Sequence, residues 1–124
     1  VELDNLDSYQ RSGGRLTAGA ATAFARLLVQ RAHADGLAAG QKNTAELLGA
    51  RSATGFDFAV TEECGTYGEC GRYAAAYGGR VLDVEYTDAG FSAACGAWKG
   101  RISVVRRDHD VSPAGSDGYV YRAC

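Results

Sequence analysis

Four polar pairs, Asp4-Asn5, Lys42-Asn43, Glu62-Glu63 and Glu85-Tyr86, each stand at the carboxyl end of a short apolar run. If those runs are neighbouring strands, side chains at their ends can converge, and Asp4, Glu62, Glu63 and Glu85 would bring carboxyl groups. Hydrolysis of a glycosidic bond usually needs two such groups, about 5–5.5 Å apart for retention and roughly 6.5–9.5 Å apart for inversion. Successive residues of a strand point to opposite faces, so Glu62 and Glu63 cannot both enter one site. Tyr67 and Tyr86 are candidates to stack on sugar rings. The competing role for acids at strand ends is helix capping or plain solvation. Asp7, Asp83, Asp88 and Asp117 fit caps, turns or a supporting shell better than chemistry.

Other chemistries find little footing. No GxSxG nucleophile elbow occurs, and neither does a GxGxxG or GxxxxGK[ST] phosphate turn. His33, near a predicted helix end, and His109, between Asp108 and Asp110, read as structural. Cys64, Cys70, Cys95 and Cys124 fit neither a CxxC pattern nor a His/Cys metal set, so no metal or cofactor is predicted. Disulfides suit the even count better. Of three possible connectivities, Cys64 with Cys70 and Cys95 with Cys124 is favoured, the first closing a short loop and the second tying the last residue to a helix. An oxidising compartment follows.

The bulk numbers exclude further classes. Thirteen Lys and Arg against fifteen Asp and Glu give a net charge of -2, with no basic cluster longer than Arg106-Arg107, which argues against nucleic acid. No apolar run approaches the roughly 20 residues of a membrane span. The 124 residues suffice for one domain with a core. Val1-Glu2-Leu3 has neither an initiator Met nor the features of a signal peptide, so residue 1 reads as an internal position.

The elements that must position these residues alternate regularly. Val1–Leu3 reads as a strand. Thr17–Asp35 follows as a helix with Ala21, Phe24, Leu27, Leu28 and Ala32 on its apolar face, Thr17 as N-cap and Gly36 as stop. Leu37–Lys42 is a strand, and Asn43 with Glu46 resembles a capping box for a helix to Ala50. Phe56–Thr61 (strand), Glu69–Tyr77 (helix), Val81–Glu85 (strand), Asp88–Trp98 (helix) and Ile102–Arg106 (strand) complete the pattern. Trp98 is expected in the core. Five strands separated by four helices imply an α/β fold with parallel strands and right-handed crossovers, either an open doubly wound sheet or a closed barrel. In a closed barrel, the strand ends carrying the polar pairs ring the mouth where activity resides. A complete barrel needs about 250 residues, so this length suggests a partial one with open sheet edges.

Taken together, Val1-Glu2-Leu3-Asp4-Asn5-Leu6-Asp7, Gly40-Gln41-Lys42-Asn43, Phe56-Asp57-Phe58-Ala59-Val60-Thr61-Glu62-Glu63-Cys64 and Val84-Glu85-Tyr86 resemble glycoside hydrolase family 114. That family comprises TIM-barrel endo-α-1,4-polygalactosaminidases. The resemblance implies strands 4 to 8 of a (β/α)8 barrel, with the amino-terminal half of the barrel missing from this sequence. It further implies a polysaccharide substrate built of α-1,4-linked galactosamine, and a secreted or surface-attached enzyme. Asp4 matches the family's nucleophile and Glu62 its general acid/base. Asn5, Lys42, Asn43, Glu85 and Tyr86 match positions that bind sugar or orient the carboxylates, and Cys64 and Cys70 match a loop pair. Glu63 departs from the commoner Gln. A half barrel on its own is expected to be inactive.

Overall fold

The computed structural model describes residues 1–124. The chain forms two compact units, residues 1–60 and 61–124, and the boundary falls inside a strand. Its strands are β1 (Glu2–Leu3), β2 (Gly40–Lys42), β3 (Phe58–Glu62), β4 (Val81–Glu85), β5 (Ser103–Arg107) and β6 (Tyr121–Ala123). Its α-helices are α1 (Ala18–Ala34), α2 (Arg51–Thr54), α3 (Cys70–Tyr77) and α4 (Asp88–Trp98). Strand and helix alternate through β5 as in a partial (β/α)8 barrel, so each strand's carboxyl end opens into a loop that can carry function.

In the first unit β1 pairs in parallel with β2, and β2 with β3. Thr17 starts α1 by accepting a hydrogen bond from Ala20 N at 3.1 Å, and Gly36 ends the turn beyond it with φ +73°. The buried stripe of α1 is Ala25, Val29 and Ala32, not the face expected around Phe24 and Leu27, which are 62% and 59% exposed.

The helix expected from Asn43 to Ala50 is also corrected. Asn43 and Thr44 both take positive φ, 48° and 60°, which turns the chain sharply instead of capping it. A 3-10 segment, Ala45–Ala50, then leads into the single turn of α2, stopped at Gly55. The Gln41 side chain satisfies the turn by donating from Nε2 to the carbonyls of Asn43 (2.8 Å) and Thr44 (3.1 Å). Thr44, the residue before this segment, makes no side-chain cap hydrogen bond.

In the second unit β4 and β5 run parallel, with α4 between them in sequence and started by Thr87, whose side chain accepts from Gly90 N at 3.0 Å. Val81, Phe91, Ala94 and Val104 are buried here, with Tyr73 and Tyr77 of α3. Trp98 is half-buried, not a core residue, and the Arg101 guanidinium lies 4.4 Å from its ring centroid. A sixth strand, absent from the sequence reading, pairs antiparallel with β5. Disulfides join Cys64 to Cys70 and Cys95 to Cys124, the latter anchoring β6 to α4.

Candidate active site

Candidate residues occur in both units. In the first, Leu3 stands opposite Gln41 in the β1–β2 ladder, so the next rung brings Asp4 beside Lys42, with Nζ 3.6 Å from the Asp4 carboxylate. That ammonium is largely covered, its side chain 11% exposed against 59% for Asp4, so a charged group on one rim faces a more open acid. Asn5 takes a left-handed conformation (φ +55°), and its N–H donates to Asp4 Oδ1 at 2.7 Å. Asp4 and Asn5 line a cleft of about 480 Å³ whose apolar wall includes Leu6, Leu16, Phe24 and Leu28. Asn43 donates its backbone N–H to Val60 O at 2.9 Å and serves the turn after β2.

In the second unit Glu62 is the last residue of β3, and Tyr86 directly follows β4. The Tyr86 hydroxyl donates to Glu62 Oε1 at 2.5 Å. Burial, reinforced by the Glu62 and Glu63 carboxylates, holds that phenol well above its ordinary pKa, so it remains a proton donor. Glu63 turns away at φ +59° and donates its N–H to Val84 O at 2.8 Å. The chain thus swings from Glu62 into the loop closed by Cys64–Cys70, where Tyr67 is 69% exposed.

Glu85 does not share the surroundings of Tyr86. Its carboxylate is fully buried and accepts from Gly65 N (2.6 Å), Thr66 N (3.4 Å) and Thr66 Oγ1 (2.8 Å). That corrects the expectation of a sugar contact: Glu85 holds the loop that leaves Glu62, with no exposed face for a ligand. A Cβ added at Gly90 would sit 2.0 Å from Glu85 Oε2, so the absence of a side chain there makes room for the carboxylate. Asp83, two residues earlier on the same face of β4, accepts from Thr61 Oγ1 (2.7 Å) and Cys64 N (3.2 Å). Burial, together with the nearby Glu85 charge, raises its pKa to about 7. Its Oδ2 is buried without a hydrogen-bond partner, an atom for which protonation costs less than charge.

His109, which its place between Asp108 and Asp110 suggested was structural, has its ring centroid 5.0 Å from that of Tyr86 at an interplanar angle of 50°. The contact depends on how the loop beyond β5 folds, which its flanking residues do not signal. His33 is structural: its Nε2 is 2.8 Å from Asp57 Oδ2, which also accepts from Ala39 N. Cys64, Cys70 and Asp83 are close enough to suggest a metal cluster, but both sulfurs are bonded to each other and offer no thiolate. Asp88 accepts from Arg106 and Arg122 at 3.3 and 3.0 Å, a tie between α4 and its neighbouring strands.

The family model of glycoside-hydrolase family GH114 matches residues 1–124. The chain belongs to that family. A crystal structure of Aspergillus fumigatus Ega3 in complex with galactosamine matches the whole chain at a TM-score of 0.78 and 25% identity. The match covers 53% of that structure's chain, so this GH114 chain spans about half its length. No curated protein matches. Asp4 stands beside a lysine and Glu62 accepts from a phenol, and a carboxyl group in either setting has the chemistry for acid, base or nucleophilic work.

Proposed function

We propose that the chain is the carboxyl-terminal part of a glycosidase barrel that cleaves α-1,4-linked galactosamine polysaccharide by a two-carboxylate mechanism, outside the cell or at its surface. The observation that carries the reading is the Tyr86 phenol fixed on Glu62 at the end of β3. A carboxyl held by a donor that resists ionisation keeps its orientation through a proton-transfer cycle. The family and the galactosamine complex of Ega3 support the substrate class. Two disulfides suit an extracellular enzyme.

In this reading Asp4 attacks the anomeric carbon while Glu62 gives its proton to the departing glycosidic oxygen, leaving a glycosyl ester on Asp4. Glu62, now ionised, takes a proton from water, whose oxygen attacks the same carbon and frees Asp4. Lys42 sets a positive charge beside the acid that must act ionised. Asn5, Lys42, Asn43, Tyr67 and Tyr86 supply sugar contacts, and Glu85 holds the loop. The other barrel strands come from further segments of the polypeptide or from a partner chain, and the 124 residues alone are inactive.

The roles are tested by azide rescue in the complete natural polypeptide. Glu62→Ala with azide should yield the α-glycosyl azide, because azide intercepts the ester. Asp4→Ala with azide should yield the β anomer by direct displacement. The opposite pairing would exchange the roles, and no rescue in either would remove the double-displacement course.

A second reading is favoured by one observation, the 53% coverage of Ega3: a half barrel that binds the polymer without cutting it. Polymer retention by the complete polypeptide with no product released would select it.

A further inference from the structure

At the end of β5, two charged residues, Arg107 and Asp108, knit both ends of the next loop together. Asp108 Oδ1 accepts from Ser112 N at 2.7 Å and its Oδ2 from Val120 N at 3.1 Å, contacts that hold its carboxyl well below the usual range. Arg107 donates to the carbonyls of Ser112 and Val120, both at 3.0 Å, and its guanidinium lies 5.4 Å from the Tyr119 ring centroid. Val111 N donates to Asp108 O at 3.1 Å, closing a tight turn around residue 109. His109 therefore projects from a clamped segment although its side chain is exposed, and its ring meets that of Tyr86, whose hydroxyl is on Glu62.

We infer that His109 is a positioning residue for Glu62, acting through Tyr86: its ring restricts the Tyr86 ring to the orientation that aims the hydroxyl at Glu62 Oε1. The inference rests on the reading of Glu62 as a catalytic carboxylate. Aromatic contacts of this kind restrain a neighbour beyond what burial does. What matters here is the ring, not the titration of the imidazole, so a phenyl group should substitute for it. The loop clamp supplies rigidity, since a ring on a mobile loop would restrain nothing.

The test is a double-mutant cycle in the complete natural polypeptide, acting on galactosamine oligomers. His109→Ala should lower kcat roughly two- to tenfold with KM little changed, and His109→Phe should restore most of it. In a Tyr86→Phe background, His109→Ala should cost nothing further. Equal, additive losses in both backgrounds, or a His109→Phe as poor as the alanine variant, would overturn the inference. Glu62→Gln serves as the control: if it keeps activity the catalytic reading fails, whereas if it is inactive and the cycle is additive only the role of His109 fails. A readout independent of turnover is the Tyr86 hydroxyl proton in NMR, assigned by its loss in Tyr86→Phe. It should be protected from exchange in the wild type and His109→Phe and exposed in His109→Ala; equal protection in all three would refute the restraint.

Discussion

Glu62 has its carboxyl group on a phenol that does not readily give up its proton. Replacing Tyr86 by Phe removes the hydrogen bond that Glu62 accepts as it becomes ionised, worth about 1.5–3 kcal/mol, so kcat should fall by roughly ten- to a hundredfold in the active protein. Steady-state kinetics with a folded Tyr86→Phe variant measures it directly. Asp83 makes a different prediction. Its folded pKa of about 7 lies above the ordinary value of 3.8, so between those values the native state binds more protons than the unfolded chain. Stability should be greatest at the acid end of that window and fall as pH rises, levelling off above about 7. Asp83→Asn keeps an oxygen for Thr61 and Cys64 N and cannot ionise, so it should flatten the slope. Its advantage over the wild type, on the order of 1–3 kcal/mol, should appear above pH 7 in denaturant titrations.

At the scale of elements, β6 is three exposed residues paired with β5 and depends on a covalent tie. Replacing Cys95 and Cys124 together by Ala should cost roughly 2–4 kcal/mol, more than the pair Cys64–Cys70, because the loop of 29 residues is longer than that of 6. Chemical denaturation of the two double variants compares them. Much of this level is legible in the sequence: Thr17 announces its helix, the helix Asp88–Trp98 has the bounds read from its apolar face, and β4 falls where its apolar pattern predicts. The helical segment after β2 was legible as well, but not its 3-10 form or its sharp entry, because Asn43-Thr44 do not signal two consecutive left-handed residues. A three-residue strand beyond a loop rich in Gly, Ser and Asp is equally silent. Glu85 could have been placed: the alternation that separates Glu62 from Glu63 also sends Glu85 and Tyr86 to opposite faces, and it groups Glu85 with Asp83.

At the scale of the whole molecule, family membership covers every residue, whereas the structural match covers about half of the Ega3 chain. The first unit exposes Leu16, Phe24, Leu27 and Leu28, apolar surface of the kind that packs against further structure. Under the proposed reading the isolated 124 residues should bind galactosamine oligomers weakly and release no product, while the complete polypeptide should cut them; turnover by the isolated chain would show that no further strands are required. Candidate residues were legible because polar pairs end apolar strands. The contribution of His109 was not, since it depends on how a loop folds back upon Arg107 and Asp108. The most direct test of the central claim is product analysis of defined α-1,4-linked galactosamine oligomers incubated with the complete polypeptide and its Glu62→Gln variant. Shortened oligomers from the wild type and none from a folded variant are predicted; undiminished cleavage by Glu62→Gln would contradict the account.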